Sequence, residues 1–186
     1  MTAVLSRRNE SHLVEPAPND QEFAYLLRAA ATAPAHGGLR PWRLILIRDE
    51  GRAALERCLA EESAGPGPGR EWLEEIQGAP LLATLVFSPV PHEQTGPGAP
   101  AVPEWEQLAA TSAMTDSLTL LLHARGFGSV WRTGALTGSG RIRRFLGLRG
   151  EERLLGWLCI GTPPRSRSSQ RRVPEDVTDR ISVFAP

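Results

Sequence analysis

Two early segments carry apolar residues at the three- and four-residue spacing of an amphipathic helix. The first begins at the capping pair Asn19-Asp20 and ends near Pro34. The second runs from Gly51 to about Glu62. We predict that each helix buries one face, and the residues expected on these faces are Phe23, Leu26, Leu27, Ala30, Ala54, Leu55, Cys58 and Leu59.

Longer apolar runs predict a sheet and a central helix. Four of them have the length of buried strands: residues 42–48, 80–87, the short stretch around Trp131, and 153–161. Residues 104–125 predict a long buried helix, because the apolar run from Leu108 to Ala124 contains one acid and one histidine. Shorter helices are predicted over residues 71–77 and 141–146.

Glycine and proline interrupt this pattern where loops are expected. Residues 65–69 read Gly-Pro-Gly-Pro-Gly and predict a flexible surface crossing, and residues 88–103 predict a long loop near solvent or over a site. Beyond Pro163 an arginine-rich spacer leads to residues 181–184, which alternate like a strand. This end is either disordered as far as Asp179 or docks on a partner subunit, and its apolar residues favour docking.

Composition argues against several classes of partner and active site. The 186 residues suffice for one domain with a core, and the net charge of +0 argues against nucleic acid or an anionic membrane as the main partner. All 21 basic residues are arginine. The absence of lysine excludes a Walker-type phosphate loop, a lysine Schiff base and a Ser-x-x-Lys nucleophile, because each needs an amine.

No metal site or targeting segment is expected. Cys58 and Cys159 lie far apart in the sequence and predict reduced, structural thiols. The first residues lack the apolar core of a signal peptide, and no run approaches the length of a membrane span. We therefore expect a cytoplasmic protein. The histidines, none at metal-ligand spacing, are His12, His36, His92 and His123.

Two glycine motifs do not fit common active-site signatures. The Gly126-x-Gly128 pair lacks the third glycine of a dinucleotide fingerprint and follows a helix instead of a strand. Gly138-Ser139-Gly140 lacks the spacers of a nucleophile elbow. With no signature of metal, nucleophilic or two-carboxylate catalysis, we predict no catalytic side chain.

The segment Trp131-Arg132-Thr133 is the first candidate for ligand binding. It follows a glycine-spaced exit from the central helix and ends at a second glycine turn. Strand ends are where open sheets present groups to ligands, and Trp with Arg offers a flat face and a fixed fork of donors. Such a pair suits a large, planar, anionic cofactor. The alternative is a buried tryptophan in a core strand beside a surface arginine.

Three other segments add candidates. Arg7-Arg8-Asn9 stands ahead of the first predicted helix and suits an anion clamp, although an exposed basic N-terminus is the simpler interpretation. Residues 33–42 join a helix to a strand through small residues that let a ligand approach the backbone. Arg171-Arg172 near the C-terminus forms a second basic pair.

Taken in order, these motifs resemble a known family. They are Arg-Arg-Asn, then Ala-Pro-x-His-x-x-x-x-Pro-Trp, then Gly-Phe-Gly-x-x-Trp-Arg-Thr-Gly-Ala-Leu-Thr, and finally Leu-x-Ile-Gly-Thr-Pro. The sequence is similar to the FMN-dependent nitroreductases, especially their small YdjA-like branch, over residues 7–164. A weaker similarity appears at residues 172–174.

The resemblance implies a fold and a cofactor site. The fold would be α+β, a mixed, mainly antiparallel sheet flanked by helices, in an interlocked homodimer with FMN at the subunit interface. Residues 1–162 would form the FMN-binding domain, and 163–186 an extension packing on the partner. The residues that correspond to cofactor contacts in the family are Arg7, Arg8, Asn9 and Arg172 for the phosphate and ribityl chain, His36 and Arg40 in the loop, and Trp131, Arg132 and Thr133 beside the ring.

The resemblance also implies an activity. NADH or NADPH would reduce the flavin, and an electron-poor acceptor such as a nitroaromatic or a quinone would then take the electrons. The alternatives are a specialised flavin-dependent dehydrogenase or flavin-modifying enzyme of a biosynthetic pathway, and a flavin-binding protein without turnover. The positions that depart from the family pattern, and so bear on the substrate, are Asn9, Thr32, Gly38, Arg40 and Gln170.

Overall fold

The computed structural model describes residues 2–62, 74, 76–95, 100–164 and 172–184. Its helices are α1 (Thr2–Ser6), α2 (Asp20–Ala30), α3 (Asp49–Glu62), α4 (Glu104–Ala124) and α5 (Gly140–Phe145), and its strands are β1 (Trp42–Ile47), β2 (Leu81–Phe87), β3 (Gly128–Arg132) and β4 (Arg153–Gly161). Short 3-10 turns lie at His36–Gly38, His92–Gln94, Ala135–Gly138 and Thr178–Arg180.

The four strands form one sheet in the order β1-β2-β4-β3, and all three strand pairs are antiparallel. Within the described residues, the one parallel pairing is an isolated bridge between Asn9 and Ser129. The expected mixed sheet is therefore an antiparallel sheet with a short parallel contact at the outer edge of β3. That edge is where the N-terminal segment joins the fold.

Two helical layers cover the sheet. Helices α2 and α4 pack on one face through Phe23, Met114 and Leu118, whereas α3 and α5 pack on the other through Leu55 and Ile142. Strand β2 lies between β1 and β4 and is covered on both faces, so all seven of its residues are buried. This explains why its sequence is apolar at every position except Thr84, since a strand with two buried faces has no polar side.

The predicted strands agree with the observed ones to within a residue or two, and α2 begins at its predicted cap, where Asn19 accepts a hydrogen bond from the Glu22 backbone. Helix α1 is the element that the sequence pattern did not predict. It has five residues, too few for an amphipathic period to appear.

One expectation and one sequence pattern differ from the structure. Helix α4 is not fully buried, because one of its sides carries Trp105, 70% exposed, and Leu108, 36% exposed. Residues 181–184 do not form a strand; Thr178–Arg180 is a 3-10 turn, and the apolar residues around it are exposed. A strand needs a neighbour for its backbone hydrogen bonds, and the described part of this single chain provides none at the tail.

Two predicted segments fall largely outside the described residues. Residues 65–69 are not among them, and of the helix predicted over 71–77 only Glu74, Ile76 and Gln77 are described, all helical. Among the described helices, none is long and apolar enough to cross a membrane.

Candidate functional site

The end of β3 holds Trp131 in a fixed position. Its indole Nε1 donates a hydrogen bond to the Leu155 carbonyl oxygen at 3.1 Å. The ring is half-buried and packs against the core on the α2 and α4 face of the sheet. Its N–H is therefore already engaged by the scaffold, and what the side chain can still offer a ligand is ring surface.

Gly156 in β4 makes the close packing at this strand end feasible. A Cβ on Gly156 would lie 2.1 Å from the Arg132 carbonyl oxygen and 2.9 Å from Trp131 Nε1. Its φ of +129° is also strained for any residue with a side chain. Sequence reasoning missed this residue, although a glycine inside a strand pattern is the usual sign of a close backbone approach.

Arg132 does not lie on the same face of the sheet as Trp131, and Thr133 lies beyond the end of the strand. Val130 packs in the core on the α3 and α5 face, so alternation along β3 places half-buried Arg132 on that face, opposite Trp131. Thr133 follows the strand and is exposed. The three residues thus present different groups on both sides of one strand end, at the edge of the sheet.

The N-terminal candidates lie along the same edge. Asn9 bridges to Ser129, and the Glu10 backbone N–H donates to the Ser129 carbonyl at 3.2 Å. Arg7 donates from Nη1 to the Asn9 side-chain oxygen at 3.2 Å. Ser129 and Arg132 are three residues apart, which is about 10 Å in a strand. One elongated ligand could therefore reach from Arg7-Asn9 to the end of β3.

Arg172 belongs to the same group. Its backbone N–H donates to the Leu5 carbonyl at 3.0 Å, which places the C-terminal segment beside α1. Ser6, the last residue of α1, contacts His123 in the last turn of α4, with 2.7 Å between Oγ and Nε2. The structure thus brings Arg7, Arg8, Asn9 and Arg172 together at the C-terminal end of α4.

His36 and Arg40 lie elsewhere. Both are exposed in the loop before β1, and His36 Nδ1 is 3.0 Å from Glu106 Oε2 in the first turn of α4. Gly37 and Gly38 have φ of 60° and 69°, a left-handed conformation that glycine adopts without strain. The end of this loop is tied down at Pro41, whose carbonyl accepts a hydrogen bond from the Ser88 N–H.

The loop at 88–103 has its base at the same end of α4. Gln107 is buried, with 5% of its surface exposed. Its Oε1 accepts from the Val90 N–H at 2.8 Å, and its Nε2 donates to the carbonyls of Val90 and Val102 at 3.1 and 3.0 Å. One side chain therefore fastens both ends of the loop beside the His36 turn. Sequence reasoning did not single out Gln107, since a lone glutamine in a helix has no distinctive signal.

The predicted site residues are thus divided between the two ends of α4. Glu106, which contacts His36, and His123, which contacts Ser6, are about 17 residues apart in this helix, or about 25 Å. That distance exceeds the length of a mononucleotide such as FMN. Within one chain, a single ligand of this size does not reach both the Arg7 group and the His36 loop.

Comparison with known proteins identifies similar chains. The sequence profile described as the nitroreductase family matches residues 4–162. YdjA of Escherichia coli strain K12, which carries the provisional name of an NAD(P)H nitroreductase, is 32% identical over 181 residues, which is 97% of each chain. The 5,6-dimethylbenzimidazole synthase of Rhodospirillum rubrum is 26% identical over 168 residues, which is 84% of this chain and 78% of that one.

Solved structures show the same fold. The crystal structure of the FMN and NADPH-dependent nitroreductase NfnB from Sphigopyxis sp. strain HMH has a TM-score of 0.72 to this chain at 19% identity. The match covers 99% of this chain and 97% of that one. At this level of identity, the similarity establishes the α+β fold and nothing finer.

Proposed function

The chain belongs to the nitroreductase family, and from that premise we propose that it is an FMN-dependent oxidoreductase that uses NAD(P)H to reduce an electron-poor acceptor. The observation that carries the proposal is the division of the candidate residues between the two ends of α4. Two copies of the chain, packed so that the His36 loop of one meets the Arg7 group of the other, would complete two equivalent sites.

The chemistry of the Arg7 group suits a phosphate. Arg7, Arg8 and Arg172 are permanent cations with planar forks of donors, and Asn9 adds a neutral amide. Guanidinium groups bind phosphate oxygens in pairs of parallel hydrogen bonds. This group would hold the phosphate of FMN.

The end of β3 suits the ring system. Because β3 is an edge strand, the backbone N–H and C=O groups of alternate residues point away from β4, and those beyond the bridge at Ser129 can bind the polar edge of a flat ligand. Trp131 supplies a wall already fixed to Leu155, and Arg132 supplies a positive charge. His36 and Arg40 of the second copy would close the site. The flavin supplies the redox chemistry when bound, and these side chains bind it, orient it and shape its electrostatic surroundings.

The homodimer that this site needs is supported by exposed apolar surface. Large apolar side chains in the C-terminal segment are between 56% and 90% exposed, namely Val173, Val177, Ile181, Val183 and Phe184. Helix α4 adds Trp105 and Leu108. Exposed apolar surface of this kind is typical of a subunit interface. We propose that residues 163–186 pack on the second copy.

Purification and reconstitution test the proposed function. We expect the protein to retain FMN or to take it up on addition, to show flavin absorbance, and to lose that absorbance when NADH or NADPH is added without oxygen. Adding a nitroaromatic or a quinone should restore it. A protein that binds no FMN at saturating concentration would refute the proposal, and one whose FMN is not reduced by either nucleotide would support the dehydrogenase or the flavin-binding alternative.

A specialised biosynthetic step is a second candidate. The observation that favours it is the similarity to a protein named 5,6-dimethylbenzimidazole synthase. Mass analysis of the flavin after turnover separates the two functions. A reductase returns FMN unchanged over many cycles, whereas a flavin-modifying enzyme consumes it.

A further inference from the structure

The contact between His36 and Glu106 joins the loop to the helix across 70 positions of sequence. The His36 Nδ1 and Glu106 Oε2 atoms are 3.0 Å apart, and the side chains are 51% and 29% exposed. In the described part of the chain, neither side chain makes another hydrogen bond. The pairing is therefore specific for both partners.

The chemistry of this pair determines which ring nitrogen carries a proton. A carboxylate only accepts hydrogen bonds, so His36 Nδ1 must be the donor and carry the hydrogen. The other nitrogen, Nε2, then stands on the far side of the ring and is available to a ligand. Histidines that act on a ligand through one nitrogen are commonly oriented by a hydrogen bond to the other.

The turn that carries His36 is rich in glycine. The two residues after it are Gly37 and Gly38, and even an added Cβ at either would meet no heavy atom within 4 Å. The two residues that follow His36 in its turn therefore have no side chain that could pack against the ring. Glu106 stands on the regular backbone of α4, which gives its carboxylate a defined base from which to orient the His36 ring.

Glu104, the other acidic residue in the first turn of α4, has a different partner from Glu106. It lies two residues earlier and pairs with Arg153, whose guanidinium lies over the Phe87 ring at 5.0 Å. Glu104 is 58% exposed, and the ion pair of its carboxylate is with Arg153 and not with His36. The two carboxylates of one turn therefore serve different partners, and Glu104 provides a matched control.

We propose that Glu106 is a positioning residue, which fixes the ring orientation and the tautomer of His36 so that Nε2 is presented to the flavin held by the second copy. This inference rests on the proposed function. It adds a residue that makes no contact with the ligand itself and acts through His36.

The test is a set of FMN titrations on the full-length protein, in which binding is monitored by flavin fluorescence. We expect Glu106→Ala and His36→Ala each to weaken FMN about fivefold, the loss of one hydrogen bond. Glu106→Gln should stay within about twofold of the original affinity, because the amide oxygen still accepts from Nδ1. Glu104→Ala, which breaks an ion pair on the same turn, should leave the affinity unchanged.

The double variant His36→Ala/Glu106→Ala decides whether Glu106 acts through His36. We expect it to bind FMN no more weakly than His36→Ala alone, since the effect of Glu106 needs the imidazole. Additive losses, or a Glu106→Gln variant as weak as Glu106→Ala, would overturn the inference. A His36→Ala variant with unchanged FMN affinity would also overturn the inference, and it would leave the proposed function intact. If the unaltered protein binds no FMN, the proposed function itself fails.

Discussion

At the scale of single residues, the arginines near α1 carry the expected selectivity for a phosphate-bearing ligand. We predict that Arg8→Ala and Arg172→Ala each weaken FMN by about 1.5–3 kcal/mol, because each removes a charge-assisted hydrogen bond. Riboflavin lacks the phosphate and should lose much less affinity. Titration of both ligands measures the difference. Arg180→Ala is the control, since Arg180 lies in the same segment as Arg172 but pairs with Asp179; equal losses for both ligands would place the phosphate elsewhere.

Arg132 should act on the potential of the flavin more than on its affinity. A positive charge beside the ring favours the reduced form, which carries negative charge. We expect Arg132→Ala to retain FMN and to lower its midpoint potential, by about 30 mV for each 1.4 kcal/mol of lost interaction in a two-electron couple. A redox titration measures this, with Arg144→Ala at an exposed position of α5 as the control. An unchanged potential would show that Arg132 belongs to the scaffold.

The sequence did not predict the hydrogen-bond partners of the candidate site residues. Arg7, Asn9, His36 and Trp131 could be selected because each lies in a short motif with distinctive chemistry. Their partners could not, since Glu106 is 70 positions from His36 and Leu155 is 24 positions from Trp131. Such contacts depend on how the sheet and α4 are arranged in space, which local spacing does not encode.

At the scale of elements, Gly156 determines how closely β3 can approach β4. We predict that Gly156→Ala destabilises the fold by more than about 2 kcal/mol, because the new Cβ would overlap the Arg132 carbonyl and the positive φ is strained. Denaturant unfolding measures the loss. Gly138→Ala is the matched control, since a Cβ there meets no heavy atom within 4 Å and should change stability by less than about 1 kcal/mol. Similar values for the two variants would contradict this account.

Predictability also differed among the elements. Strands β2 and β4 were predictable because both are long apolar runs, and α2 because its cap and its period coincide. Helix α1 was not predictable, because its five residues are too few to show the hydrophobic period of an amphipathic helix. The apolar residues of the tail alternate as in a strand, yet alternation forms a strand only where a pairing edge exists. The exposed side of α4 was missed because apolar sequence alone does not distinguish a core from an interface.

At the scale of the whole molecule, the ion pair between buried Glu152 and half-exposed Arg43 should shape the response to acid. Hydrogen bonds from Arg43 lower the pKa of Glu152 from its usual 4.5 to about 2, opposed by burial and assisted by the Arg149 backbone N–H. Because the pKa in the folded state lies below the ordinary value, the stabilisation is present above about pH 4.5 and is lost as the pH falls toward 2.

We therefore predict that Glu152→Gln is less stable than the unaltered protein at neutral pH, on the order of 2 kcal/mol after solvent screening of half-exposed Arg43. The variant should also lose less stability between pH 5 and pH 2. Unfolding curves across this range measure both effects. Glu61→Gln, which breaks an exposed pair with Arg141, should leave the profile unchanged. Parallel pH profiles for Glu152→Gln and the unaltered protein would refute the assignment.

The composite site is tested most directly by subunit complementation. One differently tagged chain carries Arg7→Ala/Arg8→Ala and the other His36→Ala/Arg40→Ala, and the mixed dimer is purified through both tags. Each parent dimer has both sites damaged and should bind FMN weakly. The mixed dimer places all four changes in one site and leaves the other intact, so we expect about one FMN per dimer at the original affinity. A mixed dimer that binds FMN no better than its parents would contradict a site shared between two chains.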